Sequence, residues 1–94
     1  MYTKTVMVTN PTGLHARPAS IFITEAKRYK SSLTIRNISD KEGNTVNAKS
    51  IVHLLTLAAG PGNEVEITAT GEDEVQAVEG LVTLIRSGFG EQNH

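Results

Sequence analysis

Within this 94-residue chain, the run Gly13-Leu14-His15-Ala16-Arg17-Pro18 holds the residues best suited to chemistry. Pro18 suits the first turn of a helix, where its missing N–H costs nothing. That places His15 at or beside the N-cap, a position where Ser, Thr, Asp and Asn are preferred. Arg17 then sits in the first turn, a cation against the positive end of the helix dipole. Two unfavourable choices side by side suggest selection for something other than stability. An anion would resolve the conflict. The free N–H groups of Ala16 and Arg17 would face the space beside the His15 ring, and helix N-termini are ready anion sites. A guanidinium adds a fork suited to phosphate. Neutral imidazole is a nucleophile. A phosphoryl group taken by His15 would be carried into these donors. On these six residues alone the plainer alternative stays open: an accidental cap followed by a solvated cation.

The elements that must hold this run can be read from periodicity. Val6 and Val8 alternate within residues 2–9, a strand pattern, and Asn10-Pro11-Thr12-Gly13 reads as a turn. Ala19, Phe22, Ile23 and Ala26 follow helical spacing and predict an amphipathic helix over 16–29. Leu33 and Ile35 mark a second strand, residues 37–44 a long polar hairpin loop, and residues 45–47 a short third strand. Residues 50–57 form a dense apolar run that suggests a short helix, stopped by Gly60-Pro61-Gly62. Residues 64–70 alternate cleanly as a strand with one wet face. Val75, Val78, Leu81, Val82 and Ile85 give the last helix its buried stripe, and Glu72, Asp73 and Glu74 complement its dipole. Gly88 is a plausible C-terminal cap, and residues 89–94 are expected to form a loose tail. The order β-α-β-β-α-β-α predicts a two-layer α+β fold. This is an open-faced sandwich with a four-stranded sheet and helices on one face.

Composition narrows the function classes. One domain spanning 1–94 is expected at this length. Hydrophobic residues are 38% and charged residues 20%, which is globular composition. A net charge of −1 and only four aromatics argue against a nucleic-acid platform. There is no cysteine, which excludes disulfides and thiol catalysis. No apolar run approaches the ~20 residues of a membrane span. The opening MYTKTVMVTN lacks the apolar stretch of a signal peptide, so a cytoplasmic location is expected. Neither His53 nor His94 shares metal-ligand spacing with His15, so no metal site is expected. Gly60-Pro61-Gly62 lacks the Lys-Ser/Thr that follows a P-loop, so no nucleotide cofactor is expected.

Gly13-Leu14-His15-Ala16-Arg17-Pro18-Ala19 resembles the active-site signature of the HPr family, the histidine phosphocarriers of the phosphoenolpyruvate-dependent sugar phosphotransferase system. The resemblance continues at Asn47-Ala48-Lys49-Ser50-Ile51, similar to the family's regulatory-serine segment. It continues again at Ala69-Thr70-Gly71-Glu72-Asp73-Glu74. It implies an antiparallel sheet and a carrier without independent enzymatic turnover. It also implies that His15 takes phosphate on Nδ1 from enzyme I and gives it to enzyme IIA proteins or domains. Arg17 would assist, and Ser50 would be the target of a serine kinase/phosphorylase in some bacteria. A monomer with no cofactor is implied. The 37–44 connection is longer than usual for the family and is expected to lie away from His15. Arg86-Ser87-Gly88-Phe89 is similar to the nitrogen-related paralogue, which makes that branch an alternative.

Other residues carry weaker signals. Ser50 precedes the apolar run and reads as an N-cap, with or without a regulatory role. Leu54 and Leu57 share a face and are the core choices. Ile51, Val52 and Leu55 would then form an exposed apolar patch, which marks partner binding when contiguous. By resemblance the partners dock there, with Ser20, Lys27 and Lys49 around the patch. A docking adaptor acting through 51–55 is therefore a second functional reading. The presence of His15 argues against it, because purely regulatory relatives can lack that histidine. Ile21 lies off its helix's buried stripe and is expected as a stray surface residue.

Overall fold

The alternating segments pair as strands, and the apolar stripes cover one side of them. The computed structural model describes residues 1–91. Its elements are β1 (Tyr2–Met7), α1 (Ala16–Ala26), β2 (Ser32–Asn37), β3 (Val46–Asn47), α2 (Ile51–Leu55), β4 (Glu64–Thr70) and α3 (Glu74–Arg86). A short 3-10 turn at Gly88–Gly90 follows. The strands form one antiparallel sheet in the order β1-β4-β2-β3. Strand β4 is central: Ile67 lies opposite Lys4 on one side and Ile35 on the other. Val65, Ile67 and Ala69 are fully buried, while Glu66 and Thr68 between them stay partly exposed. One face therefore meets the helices and the other meets water. On the wet face the hydroxyls of Thr3 and Thr68 lie 3.0 Å apart. The expected open-faced two-layer architecture is the one observed.

Phe22 and Ile23 of α1 and Val78, Leu81, Val82 and Ile85 of α3 form the helical half of the core. They share one buried cluster with Val6, Leu33, Ile35, Val65 and Ile67 of the sheet. Two expectations are corrected within it. Val75 is half exposed, and Ala77 is buried in its place. At 100° per residue Val75 falls roughly a quarter turn from the centre of the buried stripe. Ile21 is not a stray surface residue: it is half-buried, packs against the core and shares a groove with Leu84.

Several boundaries also shift for local reasons. Helix α1 ends at Ala26 rather than at 29. The N–H groups of Arg28 and Tyr29 reach back only three residues, to the carbonyls of Glu25 and Ala26, a tightened 3-10-type ending. The Lys49 ammonium donates to the Tyr29 carbonyl at 2.6 Å and closes that end. The 37–44 connection makes its own turns: Asp40 accepts from the Glu42 N–H and Asn37 from the Ser39 N–H. Its outward bonds run to Leu57, Asn63 and Glu64. Among the described residues none reaches 13–17.

The expectation of a loose tail from 89 onward fails for its first residues. Phe89 is buried, and Glu91 is hydrogen-bonded to Asn10 and Thr12. Residues 92–94 of that tail, His94 among them, lie outside the described residues. Among the described residues no helix is long and apolar enough to cross a membrane.

Candidate functional site

The approach to His15 is fixed by a close backbone contact. Gly13 has φ +70, and a Cβ there would lie 2.6 Å from the Ala59 carbonyl oxygen and 2.9 Å from the Gly60 Cα. Only glycine lets the two loops touch in this way. Leu14 then donates its N–H to the Ala59 carbonyl at 2.9 Å and buries its side chain completely. With its predecessor anchored, His15 enters in an extended conformation, φ −133 and ψ 163, as the N-cap of α1. Its ring makes no capping hydrogen bond, and its carbonyl begins the helix by accepting from the Ala19 N–H at 3.4 Å. Pro18 is buried in the first turn, as its chemistry requires.

Ala16 has φ +53, a left-handed conformation for a residue with a Cβ. Such a conformation costs about 1–2 kcal/mol and persists only where the surroundings dictate it. Ala16 and Arg17 are exposed, and His15 is half-buried. Among the described residues neither the Ala16 nor the Arg17 N–H has a hydrogen-bond partner. The site thus offers a half-accessible imidazole, two unsatisfied N–H donors and an exposed guanidinium. That set can accept a tetrahedral dianion on or beside the ring.

Sequence reasoning missed three residues behind His15. Asn10 is 1% exposed, and its amide Nδ2 donates to the Gly13 carbonyl at 3.0 Å and to Glu91 Oε1 at 2.9 Å. Glu91 also accepts from the Thr12 N–H at 3.2 Å and, through Oε2, from the Thr12 hydroxyl at 2.7 Å. Hydrogen bonds from Asn10 and Thr12, with a smaller pull from the Arg17 charge, hold the Glu91 carboxyl below its ordinary range. The available signal was the Gly-Phe-Gly run at 88–90, an aromatic between two turn-forming residues, which reads as a hook as readily as a tail.

The docking residues are brought together in part. Ile51 and Leu55 are exposed at 39% and 43% and Val52 at 68%, whereas Leu54 is fully buried and Leu57 nearly so. A groove of about 460 Å³ between α1 and α2 is lined by Ala16, Ser20, Ile23, Lys27, Ile51 and Leu55, among others. It runs from the residue after His15. Lys49 does not join it. Its ammonium is committed to the Tyr29 carbonyl, and it lines a separate cleft beside β2 and β3. Ser50 is half-buried and caps α2, its Oγ accepting from the His53 N–H at 3.4 Å.

Of the acids at the start of α3, Glu74 lies in the first turn as expected, whereas Asp73 is the N-cap residue but makes no capping hydrogen bond with its side chain. Asp73 instead clasps the loop after α1 with its carboxylate. It accepts from the Ser31 hydroxyl at 2.5 Å and from the N–H groups of Lys30 and Ser31. The Ser31 hydroxyl, followed by those backbone donors, pulls its carboxyl down to about 2. Glu74 accepts from the Gly71 N–H at 3.2 Å. Among the described residues no three His, Asp or Glu side chains are grouped so as to hold a metal ion.

Comparison with known proteins places this geometry in a family. The model described as "PTS HPr component phosphorylation site" matches residues 2–87. The phosphocarrier protein HPr of Haemophilus influenzae is 46% identical over 85 residues, which cover 90% of this chain and 95% of that one. The HPr-like protein Crh of Halalkalibacterium halodurans is 44% identical over 85 residues, covering 90% and 96%. A multiphosphoryl transfer protein of H. influenzae is 38% identical over 85 residues, and the chain spans only 17% of its length. The crystal structure of HPr-C-His from Thermoanaerobacter tengcongensis superposes with a TM-score of 0.90 at 41% identity, covering 99% of this chain and all of that one.

Proposed function

The chain belongs to the HPr family of phosphotransferase-system phosphocarriers, and on that footing we propose that His15 is the residue that carries the phosphoryl group. It takes the group from phospho-enzyme I and passes it to an enzyme IIA protein or domain of the sugar branch. The observation that supports this reading is the helix end at His15: among the described residues the Ala16 and Arg17 N–H groups have no partner, Arg17 is exposed and His15 is half-buried. A neutral ring nitrogen of His15 attacks phosphorus on the donor histidine. The new N–P bond forms as the donor N–P bond breaks, and the donor ring keeps the electron pair. Nothing is oxidised or reduced. The arriving oxygens meet the N–H groups of Ala16 and Arg17 and the Arg17 side chain. Among the described residues the two N–H groups have no partner to give up, so little reorganisation is needed. Ile51, Val52 and Leu55, with Ser20 and Lys27, form the surface on which both partners dock in turn. The match to part of a multiphosphoryl transfer protein supports a place among phosphoryl-transferring components.

Incubation with enzyme I and labelled phosphoenolpyruvate tests the assignment. The label should appear in an acid-labile, base-stable form in the wild type and be absent from His15→Ala. Arg17→Ala should fold normally and accept label slowly. Label persisting in His15→Ala would place the acceptor elsewhere.

A second reading, a regulatory protein acting by docking, is favoured by the exposed Ile51, Val52 and Leu55 and by the similarity to Crh. It predicts partner binding that survives His15→Ala without any phosphoryl transfer by the wild type.

A further inference from the structure

The segment after α3 makes an unusual effort to return. Gly88, Phe89 and Gly90 have φ of +73, +57 and +78, three successive left-handed residues. Two are glycines, for which this is ordinary; the third is an aromatic, for which it is strained. Phe89 is nonetheless buried, so packing holds the hook in place. The hook delivers Glu91 to the turn that precedes His15, 79 to 81 residues earlier in the chain.

Glu91 closes a specific circuit there. Asn10 Nδ2 bridges the Gly13 carbonyl and Glu91 Oε1, while the Gly13 N–H returns to the Asn10 carbonyl at 3.1 Å. The Thr12 N–H and hydroxyl both end on Glu91. Asn10 is almost wholly buried, and among the described residues its Oδ1 has no hydrogen-bond partner. Its orientation therefore rests on the two bonds from Nδ2, and one of these belongs to Glu91. Remove that carboxylate and the turn keeps the Gly13 contact but loses every bond to residues 10–12 that comes through Glu91.

We propose that Glu91 is a positioning residue for phosphoryl transfer at His15, clasping Asn10 and Thr12 so that the 10–14 turn presents the ring in one orientation. This rests on His15 being the phosphoryl carrier. Glu91 touches neither the ring nor the phosphate and acts through the turn. Misplacement of a reacting group by a fraction of an ångström to an ångström lowers rate far more than it lowers stability.

Single-turnover transfer from phospho-enzyme I, measured across protein concentrations, separates rate from partner affinity. The wild type is the control for the carrier reading: if it takes no label on His15, that reading fails irrespective of Glu91. With a competent wild type, Glu91→Ala should lower the maximal transfer rate about ten- to a hundredfold. Half-saturation should be unchanged, and the His15 ring resonances should shift or broaden. Glu91→Gln keeps the shape and an accepting oxygen and should restore most of the rate. Thr12→Val should slow transfer alone, and adding Glu91→Ala to it should slow transfer little further, because both cut one clasp. Transfer by Glu91→Ala at the wild-type rate would overturn the proposal while leaving the carrier intact. So would equal slowing by Glu91→Ala and Glu91→Gln, which would mean that charge and not position matters, or full additivity with Thr12→Val.

Discussion

Replacing Gly13 with alanine tests whether the contact between two loops sets the histidine. The new Cβ would stand 2.6 Å from one backbone atom and 2.9 Å from another, neither of which can rotate away. Two penalties combine. Holding alanine at φ +70 costs about 1–2 kcal/mol, and forcing the 59–60 backbone outward costs about 1–3 kcal/mol as overpacking. The expected loss is about 2–5 kcal/mol, or a fall in Tm of roughly 8–40 °C for a domain of this size. Gly62 supplies the control. It has φ +88 but no atom within 4 Å of the position its Cβ would take. Gly62→Ala should therefore show only the conformational penalty, about 1–2 kcal/mol. Urea titrations at equal m-value give both numbers, and phosphorylation by enzyme I gives the functional consequence. Gly13→Ala should slow transfer because Leu14 and His15 move with the loop, and Gly62→Ala should not. Equal stability losses in the two variants would refute the reasoning, since the contact with Ala59 and Gly60 would then contribute nothing.

Three further outcomes follow from other parts of the fold. Leu54 is fully buried and Leu55 is 43% exposed, so Leu54→Ala should cost about 2–5 kcal/mol in urea titration. Leu55→Ser should leave the midpoint nearly unchanged and weaken partner binding in titration calorimetry. The Asp73 carboxyl lies at about 2 in the folded chain, below the ordinary value of about 3.9. Its contribution to stability is therefore complete above about pH 4 and is lost as the pH falls toward about 2. Urea midpoints at pH 5, 3 and 2 should fall more steeply for the wild type than for Asp73→Asn over that window. Ser50→Asp should keep or raise Tm, because the charge sits at the start of α2. It should also slow His15 phosphorylation by setting an anion beside the docking patch, and the slowing should lessen in high salt. Wild-type transfer rates at low salt would reduce Ser50 to a cap.

The sheet and long helices were legible because period and burial agree there. Glu64–Thr70 alternates and faces two ways, and the stripe through Val78, Leu81, Val82 and Ile85 is the buried one. Val75 misled because a first-turn apolar residue at the stripe's edge reads like a member of it. The place of His15 was legible for a different reason: Pro18 marks a first helical turn, and His15 is the N-cap of α1; the anion that its neighbours suggest belongs to the proposed phosphoryl transfer. The parts that stayed hidden depend on contacts far apart in sequence. Nothing near Asp73 says that it will reach Ser31, and nothing near Glu91 names Asn10 and Thr12 as its partners. Lys49 looked like a free docking cation because the end of α1, which it caps, is set by tertiary packing and not by a stop signal in the sequence.

The strain at Ala16 is explained by what lies on either side of it. Leu14 is sealed in the core and bonded to Ala59, and Pro18 and Ala19 are sealed on the helix side. Only three residues span the gap, so the chain must turn sharply within it, and Ala16 takes the turn. A relaxed Ala16 would require Leu14 or Pro18 to leave the core. Moving Leu14 exposes a buried side chain, worth about 1.5–3 kcal/mol, and breaks its bond to the Ala59 carbonyl, worth about 0.5–1.5 kcal/mol, together more than the strain of about 1–2 kcal/mol. The strained conformer is thus the lower-energy compromise before any phosphate arrives. The unsatisfied N–H groups are set by packing and not by the ligand, which is the condition for electrostatic stabilisation without reorganisation. The wet face of the sheet, where Thr3 meets Thr68, supplies none of these constraints and should tolerate polar substitution without any change in transfer.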